Sequence, residues 1–275
     1  MSTDTTRGDN SPVRSAGRSI TGLLEGYWLK IWTAIFIVFL YIPIVFIVVF
    51  SFEKGEFSTL PWSGFTLHWY RVLLDTSVAI DAIYNSLLVA VVVTTLATVM
   101  GTLGAIALVR HDFRLKRVYR SLVIAPMTIP GLILGIALLM LFNFFSIDLS
   151  LYTIMLGQLV FIVPFVLITV TARLRGFDRA LEEAARDLGA TRWSTYRHVT
   201  LPILAPGIIS GALFAFTLSF DDFLIAFFTG GPNNTLPVYI YSNVIRTTTP
   251  VVNAISAVAL FVSMILIILS QYLQR

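Results

Sequence analysis

Six stretches of this chain run for 22 residues or more without a charged side chain: 31–52, 82–109, 121–147, 149–172, 199–220 and 247–274. A helix needs about 20 apolar residues to cross a bilayer. Helices also satisfy their own backbone hydrogen bonds in lipid, which open sheets and loops do not. None of the runs alternates polar and apolar residues as a membrane β-strand does. The sequence therefore predicts an all-α polytopic membrane protein with six transmembrane helices. Its 12% charged residues and mean hydropathy of +0.85 agree, since soluble domains carry about 25% charged residues.

Charge sets the expected orientation. Of 19 Lys and Arg residues, four lie in 1–30, five in 110–120, six in 173–197, and one is Arg275; only Lys54, Arg71 and Arg246 fall in the alternate segments. Basic loops stay on the cytoplasmic side, so both termini are expected to be cytoplasmic. The net charge of +4 then reflects membrane topology, and no nucleic-acid partner is expected. The absence of Cys rules out a disulfide framework and a thiolate metal site. His68, His111 and His198 are scattered, so no metal is expected.

The organisation follows from the runs. Residues 1–30 read as a disordered cytoplasmic tail; a signal peptide does not fit, because the polar lead is long and no cleavage signature follows the apolar run. Residues 31–52 form the first membrane helix and 53–81 a periplasmic loop. Residues 82–274 form a five-helix core that contains a cytoplasmic segment at 177–190. The aromatics Trp62, Trp69 and Tyr70 read as interfacial belt residues. Pro126 and Pro130 predict a kink or restart in the third run. Gly131 and Gly135 form a small-xxx-small pair suited to close helix contact. Gly230-Gly231-Pro232 ends a helix, and Tyr239–Ile245 suits a short helix beyond it.

The one long charged island, Leu181-Glu-Glu-Ala-Ala-Arg-Asp-Leu-Gly-Ala190, lies between two membrane-length runs. Phe177, Leu181, Ala184, Ala185 and Leu188 recur on one face of an amphipathic helix. Arg179–Glu183 and Glu182–Arg186 stand four apart and can pair. Gly189 falls where a left-handed C-terminal cap is needed. Thr191 can cap a second short helix, Arg192 to His198, and Pro202 and Pro206 limit how the chain re-enters the membrane. The plain alternative is a solvated connector. The small Ala184-Ala185 pair, which lets a partner surface approach closely, favours docking.

The order Glu183-Ala184-Ala185, Gly189, then Leu201-Pro202 resembles the EAA loop of the permease subunits of ABC importers. Asn85-Ser86-Leu87 looks like the opening of that family's five-helix core. Gly64-Phe-Thr-Leu-His-Trp69-Tyr70 and Phe216-Thr-Leu-Ser-Phe-Asp221-Asp222-Phe223 are most similar to the second permease of spermidine/putrescine importers. The resemblance implies a type I permease in a bacterial inner membrane, with Glu183, Ala184, Ala185, Asp187, Leu188, Gly189 and Ala190 docking an ATPase. It also implies two ATPase subunits, a second homologous permease and a periplasmic polyamine-binding protein as partners, with membrane lipid around them. Trp69 becomes a gate or substrate contact only through the resemblance.

Asp221 and Asp222 read as the only acids inside a hydrophobic run, past the midplane on the helix that re-enters near Pro206, among Phe220, Phe223, Phe227 and Phe228. Acids at membrane depth normally face a cavity or a partner. Two carboxylates with aromatic faces suit a cation. Ser210, Thr217 and Asp221 share a polar stripe, which favours Asp221 over Asp222 as the pathway residue. The structural alternative is an interfacial pair, or a pairing with Arg246. The chain has no Gly-x-x-x-x-Gly-Lys-Ser/Thr loop and no catalytic constellation, so neither an enzyme nor a cofactor is expected. Two rival readings stand: the same importer class with a ferric ion, thiamine or an aminophosphonate as cargo, or an ATP-independent secondary transporter. The halves show no inverted repeat, which counts against the second.

Overall fold

In the computed structural model the described residues are 13–55, 61–246 and 250–273. Helices α1 (Val13–Phe50), α2 (His68–Asp75), α3 (Ser77–Arg110), α4 (Lys116–Ile124), α5 (Gly131–Phe144) and α6 (Leu151–Arg175) come first. They are followed by α7 (Ala180–Asp187), α8 (Arg192–Thr195), α9 (Leu201–Phe220), α10 (Leu224–Thr229), α11 (Leu236–Arg246) and α12 (Val251–Leu273). No strand is present among the described residues, only an isolated antiparallel bridge between Glu53 and Phe65. The all-α expectation holds.

Four helical segments are long and apolar enough to cross a membrane: Tyr27–Phe50, Ser77–Arg110, Leu151–Arg175 and Arg192–Phe220. A fifth arises if the third run counts as one span. That run is not a single rod. Its first part, Lys116–Thr128, ends in a 3-10 turn, and Gly131–Phe144 leaves it at 109°. The break falls at Pro130, whose missing N–H and fixed φ end the first segment. The last run contributes α12.

Several boundaries differ from expectation. Residues 13–30, expected to be disordered, extend α1, because no proline interrupts propagation from the apolar span; residues 1–12 lie outside the described chain. Residues 53–81 are not all loop, since they contain α2 and the first turn of α3. Asn85 and Ser86 therefore lie inside α3 and do not open it. The short helix after Thr191 does not stop at His198. A π-helical turn, Tyr196–Thr200, carries α8 directly into α9. Pro202 follows the π turn directly, so its missing N–H falls where the helical hydrogen-bond register changes. The helix at Tyr239–Ile245 is present and longer, as α11.

The core is the mutual packing of α3, α6 and α9. Val89, Val93, Ala97, Ile162, Val166 and Ala215 are buried there. Small residues let the backbones close: a Cβ on Gly101 would stand 2.7 Å from Val166 Cβ. The Gly131/Gly135 pair behaves as expected. A Cβ on Gly135 would meet Phe228 Cδ2 at 2.9 Å, so α10 lies directly on α5. In contrast, α1 leans on α12 and leaves Ile35, Phe39 and Phe46 exposed. That is apolar surface left for lipid or a partner.

Candidate functional site

Two regions carry the side chains singled out from the sequence, at opposite ends of the bundle. At one end α3 and α6 finish together, with the Arg110 guanidinium 5.1 Å from the Phe177 ring. Helix α7 follows, and it is inside out. Its carboxylate Glu182 is buried, at 7% exposure, while Leu181 and Leu188 are 52% and 90% exposed. Glu182 does not pair with Arg186. Its Oε1 accepts from Arg110 Nη2 at 3.1 Å and from the Thr200 hydroxyl at 2.8 Å. Among the described residues the only other ion pair is Lys116–Asp112, so Arg179 and Glu183 are not bridged either. A long-range partner at the end of α3 replaces the local i,i+4 pairs: once Glu182 is buried, its carboxylate has to be hydrogen-bonded where it lies.

The end of α7 forms as expected. Gly189 has φ +87°, the left-handed region that suits glycine. Its N–H donates to Arg186 O at 2.9 Å, and Ala190 N–H to Ala185 O at 3.1 Å. This is a Schellman cap. Thr191 then accepts from Ser194 N–H at 3.2 Å and caps α8. Glu183, Ala184, Asp187, Leu188 and Gly189 all lie exposed, with Ala185 and Ala190 half-buried. A helix tethered through a buried acid, with Leu181, Ala184 and Leu188 turned outward beside Glu183 and Asp187, can meet a partner surface that offers both apolar and charged contacts.

At the other end α9 stops at Phe220 and α10 starts at Leu224. The acid pair sits in the break and not within a continuous helix. Asp222 turns inward. Its Oδ2 accepts from Gln158 Nε2 at 3.0 Å and from Ala226 N–H at 3.1 Å. Gln158 in turn accepts from the Ser219 hydroxyl. Asp221 turns outward into a cleft of about 350 Å³, lined also by Phe220, Phe223, Ile240 and Tyr241. Phe223 and Tyr241 stand 4.7 Å apart, ring centre to ring centre. Phe228 is not part of this group, since it packs on Gly135. The polar stripe remains on α9, but Ser210 and Thr217 donate to Pro206 O and Leu213 O of their own helix. The alternative partner, Arg246, lies outside the described side chains.

Trp69 is not in that cleft. Its indole Nε1 donates to the Glu53 carbonyl at 2.8 Å. Glu53 is itself 1% exposed, and its carboxylate accepts from the Ser63 hydroxyl, Ser63 N–H and Gly55 N–H. These bonds, the Ser63 hydroxyl foremost, hold its pKa below the ordinary 4.5 against the opposing effect of burial. Two groups escaped sequence reasoning. Tyr241 gave no signal beyond its place in a short helix. Gln158 gave one, as the one amide in the run 149–172.

A carboxylate among aromatic rings can hold an organic cation, and an outward apolar helix face can hold a protein groove. Residues 97–275 match the family described as binding-protein-dependent transport system inner membrane component. The chain belongs to this family. As an inner membrane component it is 38% identical over 254 residues to the spermidine/putrescine transport system permease protein PotC of Escherichia coli, covering 92% of this chain and 94% of that protein. It is 36% identical over 260 residues to the putrescine transport system permease protein PotI of the same organism, covering 92% and 89%. Its fold is similar to a chain of a bacterial ABC transporter involved in alginate import, with TM-score 0.73, 17% identity, and 95% and 98% of the two chains covered. A chain of the MetNI methionine ABC transporter matches with TM-score 0.63 and 18% identity over 76% of this chain and 98% of that one.

Proposed function

We propose that this chain is a transmembrane permease subunit of an ATP-driven importer for polyamines. Its six spans place both termini in the cytoplasm, and it works with a second homologous permease, two ATPase subunits and a periplasmic polyamine-binding protein. The observation that carries the cargo is Asp221, an exposed carboxylate set in a cleft with Phe220, Phe223 and Tyr241, in a chain whose similarity to polyamine permeases spans nine-tenths of its length. A protonated amine gains both a charge-assisted hydrogen bond and ring faces there. Asp222 acts by holding the α9–α10 break, and Trp69 by anchoring the outer loop. The segment Glu183–Ala190 docks the ATPase. Inward movement of the ATPases on binding ATP draws α7 with them and rocks the core from inward-open to outward-open.

The test is uptake of labelled putrescine and spermidine in cells lacking their own importer, with membrane levels of every subunit checked. Asp221→Asn is expected to reduce uptake about tenfold or more, the loss of one charge-assisted contact of about 1.5–3 kcal/mol, while the complex still assembles. Normal uptake in that variant removes Asp221 from the pathway. Uptake of neither polyamine by the unmutated complex moves the cargo to another class, such as a ferric ion, thiamine or an aminophosphonate.

A further inference from the structure

A second cleft, of about 410 Å³, lies between α3, α4 and α6 at the end of the bundle that carries α7. On α6 its lining runs Leu167, Ile168, Thr171, Arg175. That is a passage from aliphatic to hydroxyl to guanidinium over eight residues, or about 12 Å. On α4 the order along the chain is reversed, with Lys116, Arg117 and Arg120 before Ile124. Because α3 and α6 end together and α4 begins six residues past Arg110, the cations of both walls gather at that same end.

No acid lines the cleft. Lys116 is paired with Asp112 at 2.8 Å, but Arg117, Arg120 and Arg175 have no carboxylate partner among the described residues. The Thr171 hydroxyl is buried and has no hydrogen-bond partner. Helix α4 also leaves Val118 and Leu122 exposed, four residues apart on one face, as a helix lying in a membrane interface does.

Aliphatic wall, lone hydroxyl and clustered guanidinium groups follow the order of acyl chain, glycerol ester and phosphate in a phospholipid. A free nucleotide or phosphate would have no use for Leu167, Ile168 and Ile124. An acidic protein segment would have to enter at the depth of a membrane-spanning helix. We propose that this cleft seats an anionic phospholipid of the cytoplasmic leaflet, its phosphate on Arg117, Arg120 and Arg175 and its acyl chain along Leu167, Ile168 and Ile124. Basic pockets between membrane helices on this side recognise such headgroups. The bound lipid would brace α4 against α6 beside the 109° break. The inference is independent of the cargo.

The test uses the assembled importer in nanodiscs of phosphatidylcholine doped with phosphatidylglycerol, with retained lipid read by native mass spectrometry after detergent stripping. The unmutated complex is expected to retain phosphatidylglycerol over phosphatidylcholine. Joint replacement of Arg117→Gln, Arg120→Gln and Arg175→Gln should lower that retention about tenfold or more, whereas Arg114→Gln, which lies off the cleft, should not. Equal retention in the triple variant, or an equal loss with Arg114→Gln, overturns the site. A photoreactive amino acid in place of Ile124 supplies a readout with all arginines present. A phospholipid adduct supports the proposal, and an adduct with the ATPase or the second permease overturns it in favour of a protein contact.

Discussion

Gln158 shows how one amide can hold two helices and a helix break at once. From α6 it donates to Asp222 and accepts from Ser219, at the point where α9 gives way to α10. Replacing it with leucine keeps the volume but strands the Ser219 hydroxyl and leaves Asp222 Oδ2 with the Ala226 N–H alone. A buried polar group left without its partner costs about 1–3 kcal/mol. Gln158→Leu is therefore expected to lower the melting temperature of the purified protein, and an unchanged melting curve would show the network to be dispensable. Glu53 makes a pH-dependent counterpart at the same end of the bundle, between α1 and α2. Because its folded carboxyl sits below the ordinary 4.5, its stabilisation is present above that value and is lost as pH falls through the folded one. The protection of residues 61–70 against hydrogen exchange, taken relative to the intrinsic rate at each pH, should fall below about pH 4.5. In Glu53→Gln that protection should already be low at neutral pH and change little on acidification. Both residues were hard to weigh in the sequence: Glu53 counted only as one of four acids in an outer loop, and its burial depends on Ser63 and Gly55 folding back over it.

At the scale of elements, α7 is the clearest case of local pattern and tertiary partner dividing the work. Its helical period, its Ala pair and its glycine cap are legible in residues 177–190. Which face turns inward is not, because the buried Arg110–Glu182 pair comes from helices 72 residues apart in sequence. Removing one member of a buried ion pair costs about 3–5 kcal/mol. Arg110→Ala should thus release α7 and speed tryptic cleavage at Arg179 and Arg186, with the membrane helices intact. If cleavage is no faster, Thr200 alone holds the helix. Gly189→Val addresses the cap. Nothing lies within 4 Å of a Cβ there, so the change adds no clash, but a β-branched residue is strained at φ +87°. We expect Gly189→Val to leave the permease in the membrane while ATPase copurification and uptake fall. Survival of both would make 177–190 a plain solvated connector.

For the whole molecule, topology is the outstanding expectation, and it rests on the uneven distribution of Lys and Arg. A reporter active only in the periplasm, fused after Arg275, should stay dark; a bright signal would invert every assignment of sides. Sequence alone determined that this chain is helical, that it is built for a membrane, where its charged island lies and where its third run must break. Those features depend on composition, period and proline chemistry, which act over a few residues at a time. Tertiary structure decided the rest. It gave Asp222, the neighbour of the acid that the polar stripe had favoured, its partners Gln158 and Ala226. It sent Trp69 to Glu53 and away from the cleft, and it matched Glu182 with Arg110 across the bundle. The physical reason is the same in each case. A buried polar group must find a partner, and when the partner comes from another helix, only the packing of helices says which one it is.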